Sequence, residues 1–208
     1  GLDVFVMEAD EEYPDSVFVE DVALLTPEVG IITNPGAESR KGEVVEMKSV
    51  LNHFYEVVEQ INPPGHIEAG DIMMAGNHFY IGLSERTNKE GARQMLNILN
   101  RYGMTGSTVP LKEMLHLKTG LSYLENNTLL IAGEFIGHPD FRNFNAIPVP
   151  VHEAYAANSV WINGNVLCPQ GYFETRDNIA ANGYDIIELD VSEFRKLDGG
   201  LSCLSLRF

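Results

Sequence analysis

The sequence predicts an α+β fold in which a unit of one β-hairpin and one helix is repeated along the chain. Two observations lead to this fold class. Four times, an apolar run is followed by a short turn and a second apolar run. After three of these segments, a polar loop leads into a stretch with helical periodicity. Because a repeat of this size buries its apolar surface against its neighbours, the units are expected to stack around a centre or along a line.

Each of the four apolar segments has the pattern of a β-hairpin. A Gly- or Asn-containing turn separates the two apolar runs, and such turns favour a pair of antiparallel strands. The segments are VALLTPEVGIIT from Val22, IMMAGNHFYIGL from Ile72, LSYLENNTLLIA from Leu121 and SVWINGNVLCPQ from Ser159. Strands are therefore predicted in these four places.

Helical patterns follow the first, second and fourth hairpins. The stretches are SRKGEVVEMKSVLNHF, SERTNKEGARQMLNILNRYG and TRDNIAANG. In the second, Ala92, Met95, Leu96 and Leu99 recur at helical spacing, and Gly103 stands where the helix would end. This apolar stripe is expected to pack against a sheet.

The third repeat is imperfect, because the hairpin is followed by EFIGHPDFRNFNAIPVPVHEAYAAN, which has no clear long helical pattern. No linker, charge block or low-complexity stretch divides the chain. Residues 1–208 are therefore predicted to form a single domain.

The composition is that of a globular protein with an acidic surface. Apolar residues make up 44% of the chain, which is enough for a sizeable core. The formal net charge of -16 argues against a nucleic-acid partner and favours a small cationic ligand. The sequence has two cysteines, no signal-like start and no apolar run of membrane-spanning length. No membrane partner and a cytoplasmic location are therefore predicted.

An acidic cluster precedes the first hairpin. The stretch PDSVFVED places Asp15, Glu20 and Asp21 within seven positions, interleaved with apolar residues. If it forms a strand, Phe18 and Glu20 share one face while Val19 and Asp21 share the other, so at least one carboxylate is expected to be buried. A buried carboxylate requires a cation or hydrogen-bond donors, which favours a cationic ligand. The alternative is an acidic surface loop.

Two further polar elements lie just ahead of hairpins. Glu68 and Asp71 flank Gly70 in HIEAGDIMM, where the glycine permits close approach of the backbone. His116 stands between two leucines in MLHLKTGLSYL. Such a histidine is either an acid–base group or a hydrogen-bonded core residue. Because the His and Cys spacings match no metal site, no metal is predicted.

The segment LDGGLSCLSLRF contains Cys203 in a predicted apolar strand. Taken alone, this thiol is either a small buried hydrophobe or a nucleophile, whereas Cys168 in NVLCPQG is predicted to be structural. The acidic cluster, Glu68, His116 and Cys203 each adjoin the hairpin of a different unit. If the units surround a common axis, these groups converge in one pocket. A thiol, an acid–base histidine and carboxylates are suited to attack on a positively charged carbon.

Five long segments resemble one known family. They are PDSVFVED, NPGAESRKGE, EAGDIMMAGNHFYIGLSERTNKEGARQM, LHLKTGLSYLE and KLDGGLSCLSLRF. The family they resemble is dimethylarginine dimethylaminohydrolase, in its bacterial form, within the guanidine-modifying superfamily. The resemblance extends over nearly the whole chain. It implies a pentein fold, in which five ββαβ units are arranged like a propeller about a central active site.

The resemblance also implies roles for individual residues. It implies that Cys203 is the nucleophile, that His116 acts as general acid and then as base, and that Glu68 completes a Cys-His-Glu arrangement. Arg40 and Arg86 would hold the α-carboxylate of an amino-acid substrate, since arginine grips a carboxylate through two hydrogen bonds. No cofactor is implied. The full set of implied substrate-binding residues is Asp15, Phe18, Glu20, Asp21, Arg40, Arg86 and Leu197.

The implied reaction is hydrolysis of an N-omega-methylated arginine to citrulline and a methylamine through a covalent thiouronium on Cys203. Lys118 stands two positions after His116, where arginine and agmatine deiminases have an aspartate. The loss of that carboxylate leaves room for a methylated nitrogen, so asymmetric dimethylarginine and monomethylarginine are expected in preference to arginine. The alternative is a deiminase or hydrolase of another guanidino or ureido amino acid.

The start of the sequence, GLDVFVMEAD, already lies at the strand before PDSVFVED. The first repeat of the pentein fold, with its mobile loop over the substrate, is therefore expected to be missing, which leaves about four of five repeats. Either the complete chain is longer, or a second copy fills the gap in a homodimer. An inactive, truncated pentein that only binds its ligand is a further alternative.

Overall fold

The protein is built from small mixed sheets of identical topology. The computed structural model describes residues 2–208, and within them twelve strands form four three-stranded sheets. In chain order, the sheets contain β1 (Ala23–Leu25), β2 (Gly30–Ile32) and β3 (Val58–Gln60); β4 (Ile72–Ala75), β5 (His78–Leu83) and β6 (Thr105–Pro110); β7 (Leu121–Tyr123), β8 (Thr128–Ile131) and β9 (Asn145–Pro148); and β10 (Val160–Ile162), β11 (Asn165–Pro169) and β12 (Asp185–Leu189).

In every sheet, the first two strands form an antiparallel hairpin and the third strand pairs in parallel with the second. The four hairpins coincide with the four segments predicted from the sequence, so that prediction is confirmed. A parallel partner needs a crossover connection, and the helices lie in these connections.

Three of the four crossover connections contain an α-helix. The α-helices are α1 (Val44–Phe54), α2 (Lys89–Arg101) and α3 (Phe173–Ala181), with a single turn, α4 (Ser192–Arg195), after the last strand. The third connection instead contains the 3-10 helices Gly133–Phe135 and Pro139–Phe141, as expected for the imperfect repeat. None of the helices in residues 2–208 has both the length and the apolar character needed to cross a membrane.

The second α-helix forms where its sequence predicts it. The Asn88 side chain caps the N terminus by accepting a hydrogen bond from Gly91 N at 2.7 Å. Met95 and Leu99 are fully buried in a core shared with β4 and β5. Gly103 follows the last turn with φ +77°, a conformation that favours glycine and ends the helix.

Five short 3-10 helices, which we call the axial helices, meet where the four units converge. The first four each lie directly before the first strand of a sheet, and the fifth follows the last sheet. They are Val19–Val22, Ala69–Asp71, Leu117–Thr119, Val151–Ala157 and Ser202–Leu204.

The axial helices surround a common axis. The first contacts the second, the second contacts the third, and the third contacts the fourth, while the fifth contacts the first. The first strands of neighbouring sheets also contact each other, β4 with β7 and β7 with β10. The ββαβ units are therefore arranged like the blades of a propeller, as in a pentein.

Two segments predicted as strands form 3-10 helices instead. PDSVFVED folds into Pro14–Val17 and Val19–Val22, and Cys203 lies in Ser202–Leu204 rather than in a strand. Pro14 favours a turn at the start of the first segment. Both segments form hydrogen bonds within their own main chain. In the first, Phe18 N donates to Asp15 O at 2.9 Å. Burial does not follow the alternation, because Phe18, Glu20 and Asp21 are all buried whereas Val17 is 43% exposed. The expectation of at least one buried carboxylate is confirmed.

Candidate active site

A small cleft opens among the axial helices. Cys203 and His116 both line it, together with Glu20, so three of the predicted site residues face one space. The remaining lining residues are Gly70, Lys118, Thr119, Tyr155, Asn158, Asp198, Gly200 and Ser202.

Cys203 lies on the last axial helix with a partly exposed thiol. Gly200 N donates a hydrogen bond to its Sγ at 3.4 Å. Burial, followed by the negative charges of Glu20 and Asp21, raises the pKa of this thiol to about 12. Cys203 is therefore a neutral thiol at pH 7 unless a positive charge is brought beside it.

His116 immediately precedes the third axial helix, and its Nε2 is hydrogen-bonded to Glu68 Oε2 at 2.9 Å. Burial opposes protonation of the imidazole. The hydrogen bond to Glu68 and the charges of Asp21 and Asp71 outweigh burial and raise the pKa of His116 to about 9. His116 is therefore protonated at pH 7 and able to donate a proton.

Glu68 is 1% exposed and lies behind His116. Its Oε1 accepts a hydrogen bond from Ala37 N at 3.0 Å and one from Arg86 Nη1 at 3.5 Å. Burial raises the pKa of Glu68, but the hydrogen bonds from His116 and Ala37 bring it below its usual value. The ionised Glu68 carboxylate therefore fixes the orientation of the imidazole.

Asp21 is the second buried carboxylate near His116. Its Oδ2 forms an ion pair with Arg40 Nη1, and its Oδ1 accepts a hydrogen bond from Gly70 N at 3.1 Å. Burial raises the pKa of Asp21 above its usual value, although the positive charges of His116 and Arg40 oppose this rise. Asp21 thus places negative charge beside the imidazole and the thiol.

Arg40 is only 5% exposed and is held by internal partners. Besides Asp21, its guanidinium donates to both carboxylate oxygens of Glu43 and to the carbonyls of Asp15 and Phe18, at distances from 2.7 to 3.1 Å. Contact with a substrate carboxylate would require Arg40 to give up one of these partners. Its predicted role as a carboxylate-binding residue stays a prediction.

Glu20 forms an ion pair with Lys118 in the cleft. Its second oxygen accepts a hydrogen bond from Ser202 Oγ at 2.7 Å. Both carboxylate oxygens therefore have partners from other axial helices. From the sequence, Lys118 is notable only for replacing an aspartate; the structure shows that it also neutralises Glu20.

Several other predicted residues lie around the cleft. Its lining, within residues 2–208, does not include Asp15, Phe18, Arg86 or Leu197. Phe18 is buried with its ring 6.5 Å from that of Phe194, whereas Leu197 is 62% exposed. The substrate contacts predicted for these residues remain predictions.

Asn158 is a residue of the cleft that the sequence did not reveal. Its Nδ2 donates to Lys118 O and to Ser202 Oγ, both at 3.0 Å, and its Oδ1 accepts from Ser202 N at 2.8 Å. Asn158 therefore ties the helix after His116 to the helix that carries Cys203. Nothing in VHEAYAAN marks this asparagine, because its partners are 40 and 44 positions away.

Three groups of the site have the residue types of metal ligands. One ligand atom each from Asp21, Glu68 and His116 lies within 4.8 Å of the others. Arg40 already pairs with Asp21, and Arg86 and His116 already pair with Glu68. The structure therefore gives these carboxylates cationic side-chain partners, and the absence of a metal stays a prediction.

Comparison with known proteins identifies relatives that span the chain. A sequence model of the arginine deiminase family matches residues 10–158. The N(G),N(G)-dimethylarginine dimethylaminohydrolase of Pseudomonas aeruginosa is 56% identical over 208 residues, which are all of this chain and 82% of that protein. Its namesake in Streptomyces coelicolor is 31% identical, over all of this chain and 80% of that protein.

The fold agrees with these relatives. A solved structure of the Pseudomonas aeruginosa enzyme, a cysteine-to-serine mutant complexed with citrulline, superposes with a TM-score of 0.94. It is 57% identical, and the match covers 96% of this chain and 78% of that one. The identity, the coverage and the common fold lead to one conclusion: the chain belongs to the dimethylarginine dimethylaminohydrolase family.

Proposed function

We propose that this protein hydrolyses N-omega-methylated arginines to citrulline and a methylamine. The observation that carries the proposal is the placement of Cys203 and His116 on one cleft, with Glu68 hydrogen-bonded to the imidazole. The relative whose structure superposes is a dimethylaminohydrolase complexed with citrulline, which supports the same product here.

The first half of the reaction forms a covalent intermediate. The thiolate of Cys203 attacks the central carbon of the guanidinium and forms a C–S bond. The C–N bond to the methylated nitrogen then breaks, and His116 gives its proton to the departing amine. The carbon remains bound to Cys203 as a thiouronium.

The second half releases citrulline. His116, now neutral, removes a proton from a water molecule that attacks the thiouronium carbon. As the C–S bond breaks, its electron pair returns to sulfur and the oxygen becomes the carbonyl of citrulline. The second proton of the water is then taken up by the sulfur, which restores the Cys203 thiol. Glu68 stabilises the imidazolium that is re-formed. His116 thus serves first as the acid and then as the base.

The positive charge of the substrate is proposed to promote formation of the Cys203 thiolate. The thiol of Cys203 has a pKa of about 12 because burial and the charges of Glu20 and Asp21 disfavour a second negative charge. A guanidinium in the cleft brings a compensating positive charge. The bound substrate therefore promotes its own attack by stabilising the thiolate, and the thiol proton is released to solvent.

The ion pair between Glu20 and Lys118 supports a preference for methylated substrates. Lys118 neutralises Glu20, whose other oxygen is already bonded to Ser202. Asp21 is likewise paired, with Arg40, so neither carboxylate is left without a cationic partner. A dimethylated nitrogen, which has no N–H to donate, therefore loses little beside Glu20. We propose asymmetric dimethylarginine and monomethylarginine as the substrates.

The amino-acid end of the substrate is proposed to lie outside the cleft lining. Arg86 is 35% exposed at its side chain and stands next to Glu68, so its guanidinium is accessible to a carboxylate. Asp15 is exposed and lies three positions before the buried Phe18. Leu197 is also exposed and lies on the segment that leads to Cys203. We propose that these residues and Arg40 contact the substrate.

The test is an assay of citrulline formed from asymmetric dimethylarginine by the protein and by a Cys203→Ser variant. We expect citrulline from the unmodified protein alone, and less from arginine at the same concentration. A folded protein that forms no citrulline from either methylated arginine would contradict the proposal. Turnover of a different guanidino or ureido amino acid would then support the second candidate function.

Three further predictions concern the setting of the protein rather than its chemistry. Both cysteines are free thiols, which suits a reducing compartment, and we propose a cytoplasmic location. We also propose that residues 1–208 unfold as one domain and that the protein forms a homodimer. Light scattering after size exclusion measures the assembly, and coincident unfolding curves from two probes test the single domain.

A further inference from the structure

Asp71 is a fully buried carboxylate that the proposed mechanism does not use. It lies on the second axial helix, three positions after Glu68. Its Oδ1 accepts a hydrogen bond from Leu117 N at 3.0 Å. Its Oδ2 accepts two more, from Ser84 Oγ and Thr87 Oγ1, both at 2.6 Å.

The direction of these hydrogen bonds indicates that Asp71 is ionised. Ser84 Oγ accepts a hydrogen bond from Arg86 N at 3.0 Å, and Thr87 Oγ1 accepts one from Glu68 N at 3.3 Å. Each hydroxyl therefore accepts a hydrogen bond from a main-chain N–H and donates a hydrogen bond through its own O–H to Asp71. Burial raises the pKa of Asp71 above its usual value, although the charge of His116 and the three donors oppose this rise. The ionised state is therefore assigned from the directions of the hydrogen bonds.

These contacts connect Asp71 to three residues of the site. Leu117 N belongs to the peptide bond that follows His116. Through Thr87, Asp71 reaches the main chain of Glu68, and through Ser84 it reaches the main chain of Arg86. One carboxylate thus holds three segments of the chain that approach the cleft separately.

Asp71 also differs from the other carboxylates near His116 in how its negative charge is compensated. Asp21 pairs with Arg40, and Glu68 pairs with Arg86, whereas no ion pair formed within residues 2–208 includes Asp71. Its negative charge is therefore compensated mainly by His116. The charged and titratable groups around the imidazole are Asp21, Glu68 and Asp71, with Arg40, Arg86, Glu20, Lys118 and Cys203 beyond them.

We propose that Asp71 is a positioning residue, which holds His116, Glu68 and Arg86 in their relative places and supplies a buried negative charge that favours the imidazolium. The proposal rests on the proposed function, in which His116 must enter the reaction protonated. The contribution of Asp71 to the high pKa of His116 agrees with this role.

The first experiment measures the pKa of His116 by NMR in an Asp71→Asn variant. Asparagine keeps the shape of aspartate but removes its charge, so we expect the pKa of His116 to fall by about one unit. A His116→Gln variant assigns the signal among the six histidines. An unchanged pKa in a folded Asp71→Asn protein would overturn the electrostatic role.

Glu153→Gln is the matched control. Glu153 is also buried and also accepts three hydrogen bonds, from Glu174 N, Thr175 N and Thr175 Oγ1, but it caps α3 and does not contribute to the pKa of His116. The Glu153→Gln variant is expected to lower the free energy of unfolding and to leave the pKa of His116 unchanged. If both variants shift the titration equally, the shift reflects general loosening and the proposal fails.

A second variant tests the positioning role even if Asp71→Asn does not fold. Ser84→Ala keeps the charge of Asp71 but removes the hydroxyl that connects it to Arg86. We expect KM to rise several-fold, with a smaller change in kcat and in the His116 titration. An unchanged KM would overturn the positioning role. Because the NMR titration needs no turnover, it decides the electrostatic role even if the protein forms no citrulline.

Discussion

The pKa of Cys203 provides a quantitative test of how the site forms its nucleophile. Without a cation beside it, the thiol has a pKa of about 12. A guanidinium carbon about to be attacked lies about 4 Å from the sulfur, where two unit charges interact by about 4 kcal/mol at an effective dielectric constant of about 20. Each pKa unit corresponds to about 1.36 kcal/mol. A bound guanidinium should therefore lower the pKa of Cys203 by about three units, from about 12 to about 9.

The assay is the pH dependence of Cys203 alkylation by iodoacetamide, followed by mass spectrometry. Methylguanidinium supplies the charge, and methylurea serves as a neutral control of similar shape. The apparent pKa, rather than the absolute rate, is compared, because either ligand also blocks access to the thiol. A peptide-level readout separates Cys203 from the buried Cys168, whose pKa is itself raised to about 11 by burial.

The result that would refute the reasoning is an apparent pKa that is the same with saturating methylguanidinium as with methylurea. The positive charge of the ligand would then not reach the sulfur, and the thiolate would have to form by another route. A fall of the same size with both ligands would show that exclusion of water, rather than charge, changes the titration.

Two further predictions concern stability. Since the pKa of His116 is raised from 6.5 to about 9 by folding, protonation stabilises the fold by about 3 kcal/mol below pH 6.5, and this contribution is lost as the pH rises toward 9. The difference in urea midpoint between the unmodified protein and His116→Gln should shrink over that range; a constant difference would contradict it. At Gly199, a Cβ would lie 2.1 Å from the ring of Phe18, so Gly199→Ala should cost about 1–3 kcal/mol of unfolding free energy, and an unchanged urea midpoint would argue against this packing.

Local patterns account for the parts of the fold that were predicted correctly. The hairpins depend on apolar runs separated by a turn, and α2 depends on a stripe that includes Met95 and Leu99 between the cap Asn88 and the stop Gly103. All of these signals lie within about twenty positions of the structure that they specify. The same reasoning failed for PDSVFVED and for the strand assigned to Cys203, because contacts with the other axial helices, rather than the alternation of apolar and polar residues, decide which side chains are buried there.

The parts of the site that were not predicted depend on contacts between distant segments. The resemblance marked Cys203 and His116 but gave no indication that Asn158 ties their segments together. Asp71 stood out only as a carboxylate beside Gly70, because its donors come from residues 84, 87 and 117. A pattern in one sequence reports the spacing of neighbours, whereas these hydrogen bonds exist only once the units have docked.

The axial helices have a consequence for how this site can change or be moved. Each unit contributes a few groups from one short connection, and the outer faces of its sheet and helix do not touch the cleft. Residues on those faces can therefore change without altering the reacting groups of the cleft. A peptide or a single unit taken from this chain would contain only some of the reacting residues, because Glu68, His116 and Cys203 come from different units. Transfer of the activity to another protein would therefore require all of the units that surround the cleft.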